Sequence, residues 1–217
     1  MSLKHQIARK EIIEAGRQIL ESALVIGTWG NISVRVPEDE LIAITPSGVD
    51  YNRLIPENIP IMDFEGNLID GNMTPSIELA MHLEIYKNRP DINAIVHTHS
   101  TYCTAMAIAR QPIPAACEDL IQIVGGAVRV AEYKLPGTLE LGKAAVLALE
   151  DRNAVLLANH GLLAAGKDLK ETLKIAHICE KSAHATLLAA NIGGAVSLSK
   201  EDCAIMRDFY LNKYGQR

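Results

Sequence analysis

Three of the chain's seven histidines stand where a metal could use them. His97-Thr98-His99 follows the apolar run Ala94-Ile95-Val96. Side chains alternate faces along a strand, so residues two apart project on the same side and both imidazoles can reach one ion. The apolar residues upstream would anchor that strand in a core and hold the ligands rigidly. His160 follows a second apolar run, Ala154 to Ala158, and precedes Gly161. If the two strands are neighbours, three imidazoles converge. Three nitrogen ligands with one open or displaceable position make the catalytic zinc pattern. The competing reading of His-x-His is an edge pair that ligates nothing. The fourth group is Glu78 or His82, four apart and so on one face of a helix. Glu78 could instead be a first-turn carboxylate that suits the helix dipole, and His82 a surface histidine. His177 and His184 read as packing or solvent-facing residues, and His5 carries no signal.

Three further segments have the chemistry to hold an anion. Gly27-Thr28-Trp29-Gly30-Asn31 is a glycine-flanked turn with a hydroxyl and an amide. Thr45-Pro46-Ser47-Gly48 is a turn with a hydroxyl and a glycine N–H. Thr74-Pro75-Ser76 opens a helix whose free N–H groups favour negative charge. Each alone reads as a turn or a cap. Together, with one of them two residues before Glu78, they place an anion near the metal.

The elements that must position these groups follow from hydrophobic period and turn chemistry. The spacing predicts a helix over 3–25, ended by Gly27, then strands over 31–36, 41–45 and 59–64. Pro75 sits where its missing N–H costs nothing, so a helix is expected from 74–76 to about Asn88, stopping before Pro90. A short strand over 94–97 runs into His-Thr-His, and Ser100 caps a helix to about Ala109. A strand over 128–131, a helix over 138–150 and a buried strand over 154–158 follow. Leu162 to Ala165 continues the sheet, and 168–192 and 200–212 are helices. Several strands follow one another before the first βα alternation, which argues for a mixed sheet flanked by helices in a single domain, 1–217.

Composition narrows the partners. Hydrophobic residues make up 48 % and charged residues 22 %, a globular balance that can bury a core without staples. The net charge is -5 with the basic residues scattered, so no basic stripe offers a nucleic-acid surface. The cysteines, Cys103, Cys117, Cys179 and Cys203, contain no Cys-x-x-Cys, which argues against a closed structural metal cage and reads as ordinary thiols. No apolar run approaches the roughly 18 residues of a spanning helix, and the N-terminus has no signal-peptide pattern. The expectation is a cytoplasmic protein without a membrane partner.

Five motifs in order resemble one family. Gly-Thr-x-Gly-Asn-Ile-Ser at 27–33, Ile-Thr-Pro-Ser-Gly at 44–48, Pro-Ser-x-Glu at 75–78, Val-His-Thr-His at 96–99 and Asn-His-Gly at 159–161 are similar to the class II aldolase/adducin family over nearly the whole chain. The resemblance implies an αβα fold with a mixed, largely antiparallel sheet. It implies one zinc per subunit on His97, His99 and His160, with Glu78 as resting-state ligand and acid/base. It implies a substrate-phosphate site at Thr28, Gly30, Asn31, Ser47, Gly48 and Ser76, and a homotetramer with active sites between subunits. Tyr214 matches a tyrosine that the aldolases place at the site.

Two departures bear on the reaction. Ile77 stands where the aldolases have a second phosphate-binding serine, and Glu118 aligns with a tyrosine used in protonation. A glutamate there resembles the methylthioribulose-1-phosphate dehydratases of the superfamily, whereas Glu78 itself favours the aldolases over the 4-epimerases. The leading expectation is reversible cleavage of an L-fuculose 1-phosphate-like ketose 1-phosphate to dihydroxyacetone phosphate and an aldehyde. The alternative is a dehydratase with Glu118 as acid/base, followed by an epimerase or a non-catalytic binding module.

Overall fold

The computed structural model describes residues 5–36 and 39–215. In chain order its elements are α1 Gln6–Glu21, β1 Asn31–Val36, β2 Leu41–Ile44, β3 Ile61–Asp63, β4 Leu68–Asp70, α2 Leu79–Asn88, β5 Ala94–Thr98, α3 Thr101–Ala109, α4 Glu118–Val124, β6 Arg129–Ala131, α5 Leu139–Leu149, β7 Ala154–Leu157, β8 Gly161–Gly166, α6 Leu169–Ala189 and α7 Lys200–Asn212.

The eight strands form one sheet in the order β4-β3-β2-β1-β5-β8-β7-β6. The first four make an antiparallel meander. β5 returns after α2 and pairs antiparallel on the free side of β1. The β7–β8 hairpin then lays β8 beside β5. Only β6 and β7 run parallel, because α5 between them supplies the long crossover that parallel pairing needs. The sheet is therefore mixed and mostly antiparallel, as the element order implied.

Strand alternation divides the core. On one side Ile32, Val34, Ala94, Val96, Leu156 and Ala164 pack under α1, α3, α4 and α6. On the other, Ile42, Ile44, Ile95, Val155, Leu163 and Ala165 pack under α2 and α5, through Met81, Ile85, Leu141 and Ala145. The result is the three-layer helix–sheet–helix arrangement of the expected class. His97 continues the odd-numbered face of β5, so it points to the α2 side. Each fully buried Ile or Leu contributes about 1.5–3 kcal/mol, and the strand that carries His97 is buried throughout. That rigidity is what a ligand set requires.

Several expected boundaries move, each for a local reason. α1 stops at Glu21 rather than near Gly27, because Ala23 turns left-handed at φ 56 and the Leu24 N–H returns to the Ile19 carbonyl at 3.0 Å. α2 starts at Leu79 and not at 74–76. Pro75 instead bridges Pro46, and the Ser76 N–H bonds the Thr45 carbonyl at 3.0 Å, so this segment is extended and the helix opens only after Glu78. β4 and α4 were not expected. β4 is an edge strand with Leu68 and Ile69 half exposed. It is fixed by Asp70, whose carboxylate accepts from the buried Arg9 guanidinium at 2.6 Å. α4 has seven residues, too few for a helical period to show.

Candidate metal centre

Backbone contacts at the end of β5 bring the site together. Asn31 faces His97 across the β1 pair, and Leu163 faces it across the β8 pair. Glycines lie on both flanks. A Cβ on Gly30, at φ +83, would sit 2.6 Å from the His97 carbonyl oxygen, and one on Gly161 would sit 2.2 Å from the Thr98 carbonyl oxygen. No side chain fits either place, so only glycine lets both neighbours close on the histidine strand. The strand that ends before His160 is not the neighbour of β5, so the histidines do not converge from adjacent strands. β8 lies between them, and His160 belongs to the tight β7–β8 turn. Its N–H returns to the Leu157 carbonyl at 3.0 Å, and Asn159 takes φ 58. Convergence comes through the hairpin rather than through adjacent strand ends.

The three imidazoles meet through their Nε2 atoms. His97 Nε2 lies 3.0 Å from His99 Nε2 and 3.2 Å from His160 Nε2. Glu78 Oε2 is 3.3 Å from His97 Nε2, and Glu78 Oε1 is 3.6 Å from His160 Nε2. His97 Nδ1 lies 2.9 Å from the Leu162 carbonyl oxygen. A carbonyl only accepts, so Nδ1 carries the proton and Nε2 presents a bare lone pair. Burial holds His97 well below the usual imidazole range, helped by His160 and His99 and opposed by the Leu162 carbonyl. Burial also lowers His99, with His160 adding to the effect and Glu78 opposing it. Burial lowers His160 against the raising influence of Glu78. All three are therefore neutral near pH 7, the ligating form.

These residues fit a divalent metal. A bare imidazole nitrogen and a carboxylate oxygen are both acceptors, and 3.3 Å apart they repel unless a cation lies between them. Glu78 is 4 % exposed, and its Oε1 has no hydrogen-bond partner. An orphaned buried carboxylate oxygen is rare without an ion to satisfy it. Three nitrogens with one anionic oxygen form the open donor set of a catalytic site. His97, His99 and His160 are also the group of ligand atoms that could hold a metal together.

His82 does not face that point. It is fully buried, neither the ligand nor the surface residue that its spacing allowed. Its Nε2 contacts Asn31 Oδ1 at 2.5 Å and its Nδ1 contacts Ser33 Oγ at 2.6 Å. Burial pushes its pKa down to about 3, against an opposing pull from Glu78. Asn31 in turn donates from Nδ2 to Glu78 Oε2 at 2.8 Å.

The three turns expected to hold an anion are stitched to this corner. The Thr45 N–H bonds the Ile32 carbonyl at 2.9 Å, the Ile32 N–H bonds Thr45 Oγ1 at 3.1 Å, and the Ser47 N–H bonds the Thr74 carbonyl at 3.0 Å. Ser76 Oγ accepts from the Glu78 N–H at 3.3 Å. Thr28, Ser47 and Gly48 are exposed, while Ser76 and Asn31 are buried. One neighbour went unread in the sequence. Trp29, the chain's single tryptophan, lies with its ring centroid 5.7 Å from that of His99. Its position between Thr28 and Gly30 was the available signal.

Glu118 and Tyr214 lie elsewhere in the chain. Glu118 is exposed at the start of α4, a helix packed on the sheet face opposite His97. Tyr214 lines a pocket with Arg89, Asp91, Asn153 and Lys167. Those residues flank the start of β5 and the end of β8, so the roughly 17–20 Å length of a six-residue strand separates them from the histidines.

The sequence matches the class II aldolase and adducin N-terminal domain over residues 10–187. The chain belongs to this family. A 5-deoxy-D-ribulose 1-phosphate aldolase from Bacillus thuringiensis serovar kurstaki is 41 % identical over 197 residues, covering 91 % of this chain and 92 % of the relative. The L-fuculose phosphate aldolase of Escherichia coli strain K12 is 36 % identical over 215 residues, covering 99 % and 98 %. A solved L-fuculose 1-phosphate aldolase superposes with TM-score 0.93 at 41 % identity, covering 96 % of this chain and 98 % of that one. With the family and these relatives comes the class of chemistry: the protein is a lyase of the class II aldolase family. Among the described residues no helix is long and apolar enough to cross a membrane.

Proposed function

We propose that the chain is a zinc-dependent aldolase that reversibly cleaves a ketose 1-phosphate to dihydroxyacetone phosphate and an aldehyde. The observation that carries this is the meeting of three histidine Nε2 atoms with an unpartnered, buried Glu78 oxygen. His97, His99 and His160 would hold the ion, with Glu78 as the displaceable fourth group. A zinc ion there would supply Lewis-acid polarisation of the substrate's C2 carbonyl and neighbouring hydroxyl.

The remaining work falls to side chains. Glu78 Oε1, which has no partner of its own, would be available to hold the proton of the substrate carbon. In the addition direction Glu78 removes the C3 proton of dihydroxyacetone phosphate, and in cleavage it returns that proton. Thr28, Gly30, Ser47, Gly48 and Ser76 receive the phosphate. Asn31 stands between that group and Glu78. It spends one Nδ2 hydrogen on the carboxylate, and the same nitrogen carries a second. The Ile77 N–H serves where a second serine hydroxyl is missing. The exposed indole of Trp29 beside His99 offers an apolar wall to the aldehyde end. That wall suits a deoxy terminus such as those of the fuculose and 5-deoxyribulose phosphates named for the relatives.

We also propose a homotetramer with sites between subunits. Tyr214 lies too far from its own chain's histidines to serve them, and α7 leaves Ile205, Phe209 and Leu211 exposed. Sedimentation should report four chains, and mixing His97→Ala with Tyr214→Phe chains should restore activity above either alone.

The central test is a panel of ketose 1-phosphates, each deoxy sugar paired with its hydroxylated counterpart and scored for dihydroxyacetone phosphate release. Chelation should abolish release and zinc should restore it. Borohydride added with substrate should leave the enzyme intact, because no lysine imine forms. Inactivation by borohydride, or water loss from methylthioribulose 1-phosphate in place of cleavage, would overturn the reading.

A further inference from the structure

His82 lies on none of the paths just described, yet it is fully buried and both its ring nitrogens are engaged. A histidine that only filled space would leave a polar ring to be satisfied at a cost. The identity of each partner fixes the direction of every bond.

The Glu78 carboxylate oxygen Oε2 is the acceptor of the bond from Asn31. Asn31 must therefore turn its NH2 toward Glu78 Oε2, at 2.8 Å, which leaves Oδ1 facing His82 Nε2 at 2.5 Å. An amide oxygen only accepts, so Nε2 carries the imidazole proton. Nδ1 is then a lone pair and must accept from Ser33 Oγ at 2.6 Å. Ser33 has spent its hydrogen, so its oxygen accepts from Tyr86 OH at 2.9 Å. Five side chains, from β1, α2 and the residue just before α2, with Tyr86 and Ser33 buried like His82, form one chain of hydrogen bonds running from Tyr86 to Glu78. Reversing any member would set donor against donor or acceptor against acceptor. A chain of this kind polarises each successive bond.

We propose that His82 is a positioning residue for Glu78: by holding its Nε2–H on Asn31, it keeps the asparagine NH2 aimed at the carboxylate and so fixes the orientation of the acid/base. The relay has two consequences. Asn31 has no need to sample its flipped state, in which its oxygen would repel Glu78. The carboxylate keeps one oxygen tethered by Asn31 while the other, Oε1, is left to take and return the substrate proton. The α-helical spacing of Glu78 and His82 matters for this reason, since one turn sets the carboxylate and the ring on either side of Asn31. The inference rests on the proposed role of Glu78 as acid/base.

Two measurements on the full-length, zinc-loaded chain test it. The first is independent of activity: ¹⁵N NMR of the histidine rings should show His82 as the Nε2–H tautomer, and an Nδ1–H tautomer would overturn the chain's direction. The second compares substitutions in one assay. His82→Leu keeps the bulk and removes both bonds, so kcat should fall about 10- to 100-fold, the usual cost of losing an outer-shell partner. Zinc content should remain, and KM should rise by less than kcat falls, because Asn31 is only one of the groups assigned to the phosphate. His82→Gln restores a donor toward Asn31 and should recover kcat to within about three-fold of the native enzyme, consistent with a transition-state effect. Native kcat in His82→Leu, or an equal loss in His82→Gln, would overturn the proposal. If His82→Leu does not fold, Ser33→Ala decides: the His82 tautomer should become mixed and kcat should drop, and no change in both would count against the relay. A native enzyme with no cleavage of any ketose 1-phosphate would instead sink the proposed function, while the tautomer measurement would still read the relay.

Discussion

Four histidines occupy one corner of this molecule, and they are built in opposite ways. His97, His99 and His160 bring their Nε2 atoms to a common point, where they face one another and a carboxylate. His82, in the same corner, has both nitrogens matched to complementary partners and no access to that point. The bare His97 nitrogen beside the Glu78 carboxylate sets acceptor against acceptor, a conflict that a cation would resolve. The arrangement around His82 is complete in itself. Burial and neutrality are common to both, so the difference lies in what the neighbours donate. Glu78 belongs to both systems, tethered through Oε2 and orphaned at Oε1.

Removing a member of the open set should do the most damage. His97→Ala should abolish both zinc binding and cleavage, since two nitrogens and a carboxylate no longer make a site, and metal analysis beside the aldolase assay would show it. Retained stoichiometric zinc would show that the convergence is not a ligand set. Glu78→Gln tests the residue that belongs to both systems: turnover should fall by ~10²–10⁴ with zinc still bound, the span expected for losing a general acid/base.

Acid should separate the metal-free fold from its loaded form. The folded imidazoles have pKa values below the unfolded value, so the unfolded chain binds more protons once the pH falls below about 6.5. Their stability contribution is therefore complete above about 6.5 and is lost as pH falls toward the folded value, which for His82 is about 3. A melting temperature of the apo chain that stayed flat from neutral to acid pH would contradict this. In His82→Leu the acid slope should be shallower. The smallest effect should come from the backbone fit. Gly161→Ala places a methyl group against the Thr98 carbonyl and should cost about 1–3 kcal/mol by overpacking, visible as a lower denaturation midpoint with weaker zinc affinity.

Much of this was legible in the residues, and the failures have physical causes. Strand alternation placed His97 and His99 on one side, and apolar period recovered most elements. The true start of α2 was missed because Pro75 and Ser76 are engaged by Thr45 and Pro46, partners some thirty residues away that no local rule sees. β4 and α4 are too short and too exposed or irregular to carry a period. His82 was weighed as a ligand or a surface residue and is neither, because its partners, Asn31 and Ser33, come from a strand about fifty residues earlier.

Residue type and order set the inventory: which side chains can ligate, which turns have the groups to meet an anion, and the family to which their order belongs. Those properties are local, set by residue type and spacing along the backbone. Only the tertiary structure decided how the inventory is divided. The glycine-lined approach of β1 and β8 to β5 brought His160 and Asn31 to the same strand end. That packing gave three histidines a common focus and gave the fourth a closed chain of donors, because hydrogen-bond complementarity depends on which groups meet in space.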